Sequence, residues 1–330
     1  MFHSLFVFLF SLVTVAFGHS PRHHVGEVTV MAEVPAPGFP EDAVLHGHQL
    51  FVSQPANFGT AGSGPSPIRV YDTTTTPYTL EDTIYVAGEL LEFEHSLTGE
   101  AIDSEGRLIV LSNQLGILRF SKVGQSWQQE NLSGPFPVFG YPYFSIPNGV
   151  VILTDDSFLV SDSVQNLIWS VPANGGVPSL WFQDAAISFG GQMGLNALKM
   201  SPTHDFVYFA DTERNRILRL PLTGMSPPTP ADLVIVYTFD QGSSPDGLAF
   251  DERGDLWVVL AEADAVVKLD MGCGGSMEIS LWIEDPLFAN PSNLYFIGGR
   301  KAVLVNHALL GGVPYLFEIY LGENGDELPY

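Results

Sequence analysis

The chain has 330 residues, with 13 Lys and Arg against 37 Asp and Glu, for a formal net charge of −24. Charged residues are 15% and hydrophobic residues 45% of the chain, too apolar a mixture for a disordered protein. The acidic balance leaves no basic patch to neutralise phosphates, so a nucleic-acid partner or an anionic membrane is not expected. A single cysteine, Cys273, excludes an intrachain disulfide framework.

In chain order, Met1–Gly18 reads MFHSLFVFLFSLVTVAFG. The apolar run Leu5–Phe17 is shorter than the ~18 residues of a membrane span and suits the core of a secretory signal peptide. Ala16-Phe17-Gly18 supplies the small residues of a cleavage site, although the only basic side chain before the run is that of His3. Residues 1–18 are therefore expected to be a signal peptide and 19–330 the mature chain, placed in the secretory pathway or secreted, with no membrane anchor after cleavage. Asn131-Leu132-Ser133 is a glycosylation sequon on that route.

An internal repeat follows. TGEAIDSEGRLIV from Thr98 aligns without a gap on DGLAFDERGDLWV from Asp246. Each has a polar residue, a Gly or small residue, an alternating apolar strand, an acidic glycine-containing turn and a second strand, which is a hairpin signal. Further copies begin at Asn148 (NGVVILTDDSFLV), Asn196 (NALKMSPTHDFVYF) and Ser292 (SNLYFIGGRKAVLV), with a weaker one at Glu41 (EDAVLHGHQLFV). The anchors Glu41, Thr98, Asn148, Asn196, Asp246 and Ser292 are 57, 50, 48, 50 and 46 residues apart. Third strands recur at 117–120, 167–170, 217–220 and 266–269, whereas fourth strands are indistinct. A period near 50 with four short strands predicts one all-β domain over 19–330, a six-bladed β-propeller with four-stranded blades around a central channel. The acidic turns, such as Asp155-Asp156 and Asp251-Glu252, read as solvated turn formers.

In such a ring the anchors precede the channel strands, so Thr98, Asn148, Asn196, Asp246, Ser292 and Glu41 are expected to meet at one mouth of the channel. Carboxylates, amides and hydroxyls are hard oxygen donors that suit Ca²⁺ or another divalent cation better than Zn²⁺. His95, three residues before Thr98, is the candidate acid or base; a lone histidine such as His307 is more often structural. The segment Glu130–Ser145 (ENLSGPFPVFGYPYFS), with Trp181-Phe182 and Ile187-Ser188-Phe189, is expected either to pack between blades or to overhang the mouth as an apolar rim. No G-x-S-x-G elbow, H-E-x-x-H or P-loop motif occurs.

With Pro147-Asn148-Gly149, Gly194-Leu195-Asn196 and Pro245-Asp246-Gly247 in view, the chain resembles the gluconolactonase and senescence-marker-protein group of six-bladed propellers. That resemblance implies one divalent metal in the channel, held by Glu41, Asn148, Asn196 and Asp246. The setting Glu41-Asp42-Ala43 departs from the group's glycine and proline pattern, which makes Asp42 an alternative inward residue. Strings such as SLTGEAIDSEGRLIVLSNQLGILRF and GLNALKMSPTHDFVYFADTERNRILRLPL resemble a fungal secretory branch that includes hetero-Diels–Alderases of tropolone–sesquiterpenoid biosynthesis. The closer resemblance implies a secondary-metabolite enzyme that dehydrates a precursor to a quinone methide and joins it to a terpene olefin. It implies no cofactor, and apolar terpenoid and polyketide-derived substrates in a dry pocket. The alternatives are a divalent-metal-dependent lactonase or esterase and a non-catalytic binding propeller.

Overall fold

The computed structural model describes residues 23–139, 144–187, 193–222, 227–272 and 277–326. The expected signal peptide, Cys273 and the Ser188-Phe189 pair lie outside the described residues. Six separate four-stranded antiparallel sheets form the blades of a propeller. Blades one to five each run in sequence from the inside outward, their innermost strands being Ala43–His46, Leu97–Ile102, Pro147–Ile152, Leu195–Met200 and Pro245–Phe250. Blade six takes Pro291–Gly298, Lys301–Asn306 and Tyr315–Tyr320 from the end of the chain. Its outer strand is Glu27–Glu33, paired antiparallel with Tyr315–Tyr320 from Glu27↔Tyr320 to Glu33↔Tyr315. This closing strand was not foreseen from the repeat, because it carries no hairpin of its own.

The period-2 alternation makes the ring. Consecutive residues of a blade strand face opposite neighbours: Val258 packs in the layer shared with blade four, and Val259 in the layer shared with blade six. Six such apolar layers, one between each pair of neighbouring blades, form the core. The layer between blades six and one joins Met31, Val303 and Leu316 to Leu50 and Val52. The outer strands are indistinct in sequence because they are solvated on most positions; Ser126–Asn131 buries none of its six residues. Asn131 is exposed at the end of that strand.

The acidic turns are not all solvated as expected. Asp251 is fully buried; its Oδ1 accepts the backbone N–H of Arg253 and Asp255 (both 3.0 Å), and its Oδ2 meets Trp257 Nε1 and Lys268 Nζ (both 3.0 Å). Asp103 organises the blade-two turn in the same way through Glu105, Arg107 and the Arg107 guanidinium. Asp155 remains the solvated type.

Candidate functional site

The innermost strands of blades two to six open with a register slip of one residue, between Leu97/Glu100, Pro147/Val150, Leu195/Leu198, Pro245/Leu248 and Pro291/Asn293. Such a bulge re-aims consecutive side chains at the start of a strand. Thr98, Asn148, Asn196, Asp246 and Ser292 fall in it, and Glu41 stands just ahead of the unslipped blade-one strand, where its N–H donates to Ser53 O. The next residue is glycine in blades two, three and five for a packing reason. A Cβ on Gly99 would lie 2.2 Å from Asn148 O, on Gly149 2.4 Å from Leu198 N, and on Gly247 2.6 Å from Ser292 O. Neighbouring channel strands therefore touch backbone to backbone, which draws the anchors together. In blades one and six the glycine is replaced by Asp42 and Asn293, which clasp one another through Asn293 Nδ2–H to Asp42 Oδ1 at 2.6 Å.

Glu41, Asn148, Asn196 and Asp246 line a single central cavity that, with its open mouth, encloses about 960 Å³ of empty space. Thr98 and Ser292 do not reach it, a correction to the six-member ring. The Thr98 hydroxyl donates to Pro147 O (2.5 Å) and that of Ser292 to Glu41 O (2.7 Å), so both are spent on holding neighbouring blades together. His95 is also corrected to a structural position. It is fully buried away from the cavity, with Nδ1 2.9 Å from Phe93 O and Nε2 3.0 Å from Gly64 O and 3.1 Å from Ser63 Oγ.

The site is crowded with acid. Asn148 Nδ2 donates to Glu41 Oε1 at 3.3 Å, and His307 Nδ1 lies 3.4 Å from Glu41 Oε2. Burial raises Glu41 from 4.5 to about 8, with the Asp42 charge adding to the rise. Burial likewise pushes Asp42 to about 6, against the backbone N–H groups of Glu100 and Ala43 that it accepts. Asp246 is held well above the ordinary carboxylate range by burial and by Glu41 and Asp42. Burial pushes His307 down to about 4, so at neutral pH its contact with Glu41 is not an ion pair. Its Nε2–H donates to Ala56 O at 2.9 Å, which leaves Nδ1 as the acceptor facing Glu41.

Both Asp42 oxygens are committed, Oδ1 to Ala43 N–H and Asn293 and Oδ2 to Glu100 N–H, so Asp42 ties blades one, two and six rather than offering itself to a ligand. Asn196 Oδ1 is buried with no hydrogen-bond partner. Two carboxyls and two amides, one of them with its oxygen orphaned, are a donor set that fits a hard divalent cation. Among the described residues, the only trio of histidine and acidic ligand atoms within 4.8 Å is His48, Asp72 and Glu81, outside this cavity. The central set is distinguished from it by its amide oxygens and its burial.

Sequence reasoning missed Glu100, Lys199, Asn293 and Tyr295, which also line the cavity. Glu100 stands at the level where blades three to six have Val150, Leu198, Leu248 and Leu294. An acid in an aliphatic column was a visible signal. Lys199 is pushed below its ordinary value by burial, opposed by Asp42 and Asp326, and lies 5.9 Å over the Tyr295 ring.

At the anchor end the loops carry exposed aromatics. Phe58 from the loop after the second strand of blade one meets Phe144, four residues before Asn148, edge to face at 6.3 Å. Phe58, Phe93 and Phe144 are 63%, 59% and 43% exposed, so this rim is apolar and unfilled. Other predicted rim residues are core: Phe182 and Ile187 are buried between blades three and four, with Trp181 packed against them.

The sequence profile of the SMP-30/Gluconolactonase/LRE-like region matches residues 182–304, from the outer strand of blade three to the second strand of blade six. No curated protein matches the chain by sequence. Among solved structures, a luciferin-regenerating enzyme superposes with a TM-score of 0.66 at 14% identity, covering 91% of this chain and 97% of that one. Regucalcin from Agrobacterium tumefaciens, a calcium-binding protein, gives 0.63 at 15% identity over 90% and 94%. Virginiamycin B lyase from Staphylococcus aureus gives 0.55 at 13% identity over 85% and 82%. The shared feature is the propeller fold.

Proposed function

We propose that the chain is a divalent-cation-dependent enzyme of the gluconolactonase type that hydrolyses a small lactone or related ester at the channel mouth. The observation that carries this reading is the meeting of Glu41, Asn148, Asn196 and Asp246 in one cavity, with Asn196 Oδ1 left unpartnered. The profile match over 182–304 and the calcium-binding regucalcin among the structural neighbours support it. A cation held by these four residues supplies Lewis-acid polarisation of an acyl carbonyl. The protein's own part is to hold that carbonyl against the ring in a walled cavity, with Val44, Val150 and Leu248 excluding bulk water.

Metal content of the purified protein, with hydrolysis of γ- and δ-lactones before and after chelation, tests this. Chelation should abolish turnover and Ca²⁺, Mn²⁺ or Mg²⁺ restore it, and Asp246→Ala should lower it by about two orders of magnitude. Full activity in the metal-free protein overturns the reading.

The apolar rim of Phe58, Phe93 and Phe144 favours a second reading, a hetero-Diels–Alderase-like site that orients a terpenoid olefin and a polyketide-derived partner. Cycloaddition of such a pair that persists after chelation would replace the first reading by the second. We also propose passage through the secretory pathway, supported by the Met1–Gly18 pattern and by the exposure of Asn131 in its sequon.

A further inference from the structure

We propose that Glu100 is the catalytic acid of this site, a neutral carboxyl that hands its proton to the oxygen leaving the acyl carbon. The proposal rests on the hydrolytic reading above and adds a residue outside the oxygen ring. Glu100 lines the cavity from blade two and is 7% exposed, yet neither Oε1 nor Oε2 makes a well-formed hydrogen bond, the Ser53 backbone N–H being the donor that faces its carboxyl. Its backbone N–H donates to Asp42 Oδ2 at 2.8 Å, which fixes the strand from which the side chain projects.

An ionised carboxylate buried without a partner is costly, whereas the neutral acid has one O–H donor seeking an acceptor. The surroundings favour the neutral form. The other titratable groups in the cavity wall are Glu41 and Asp42 from blade one, Lys199 from blade four, Asp246 from blade five and Tyr295 from blade six. One ammonium thus faces three other carboxyls. Burial and the Asp42 charge, opposed by the Ser53 backbone N–H, hold Glu100 well above the ordinary range. The acceptor that completes its hydrogen bonding is then an oxygen of the ligand. In every other blade this level is aliphatic or alanine, which gives such an oxygen no competing donor.

In the step, water oxygen bonds to the acyl carbon and the bond from that carbon to the ring oxygen breaks. The released electron pair takes the Glu100 proton and becomes a hydroxyl. The proton shed by the attacking water afterwards restores Glu100. One lactone and one water therefore give one hydroxy acid.

The test is Glu100→Gln, which keeps shape and hydrogen bonding but cannot deliver a proton. On δ-valerolactone, whose leaving alkoxide needs protonation, kcat should fall about 10²–10⁴-fold with KM nearly unchanged. On p-nitrophenyl acetate, whose phenolate leaves unaided, kcat should hardly move, and bound metal should stay as in the wild type. Equal losses on both esters, no loss on either, or loss of the metal overturns the assignment. Infrared spectroscopy gives a readout without substrate: a protonated-carboxyl C=O band at neutral pH that vanishes in Glu100→Gln. If no band vanishes, the assignment fails. A wild-type protein that opens neither ester overturns the lactone reading and with it the catalytic role, and the band alone then decides whether Glu100 holds a proton.

Discussion

Replacing Glu41 by glutamine should stabilise the metal-free protein, and only on the alkaline side. In the folded protein the Glu41 carboxyl keeps its proton up to about pH 8, against an ordinary value of 4.5. The unfolded chain therefore releases this proton first as pH rises. Between those two values the folded state binds more protons, so stability falls with rising pH, and above about 8 the loss is complete. At 1.36 kcal/mol per pH unit the full span corresponds to about 5 kcal/mol, a ceiling that solvent and counter-ions in the open channel reduce to about 1–5 kcal/mol. Glu41→Gln keeps the contact with Asn148 and removes the charge. Urea unfolding in chelator should show the variant level with wild type at pH 4 and more stable at pH 9. Added Ca²⁺ should reverse the order at pH 9 by stabilising wild type alone. Parallel pH–stability curves for the two proteins would refute the reasoning, because they would mean that burial and the Asp42 charge do not hold a proton on Glu41 in the fold.

Two further outcomes concern the ring itself. Gly149→Ala places a methyl 2.4 Å from Leu198 N and should cost about 1–3 kcal/mol in urea unfolding, while Gly134→Ala, with nothing within 4 Å, should cost little. Met31→Ala removes a buried side chain from the strand that completes blade six and should cost about 2–5 kcal/mol, measured as a shift in the unfolding midpoint at constant slope.

The blades were legible because each hairpin repeats one alternation and one acidic turn at a nearly constant spacing. Asn148, Asn196 and Asp246 were legible because each stands at the opening of a strand in the same motif. Thr98 and Ser292 share that position, but which hydroxyls turn to a neighbouring carbonyl depends on backbone approach at the bulge. Glu27–Glu33 was missed because its pairing partner lies nearly the whole chain away, and no local pattern encodes such a contact. Asp251 reads as a surface turn residue because a sequence does not show the Trp257 indole closing over it. Glu100 lies two residues past its anchor, where an acid breaking an aliphatic column is the one sign of it in the sequence.

The pairing of Glu27–Glu33 with Tyr315–Tyr320 sets a timetable for biosynthesis. Glu27–Glu33 must wait, with its edge unpaired, until Tyr315–Tyr320 has been translated. Until then the ring lacks the outermost strand that ties its two chain-distant ends together. A nascent chain stalled before Tyr315 would present unpaired edges on Glu27–Glu33 and on Lys301–Asn306, a natural client for chaperones that shield strands.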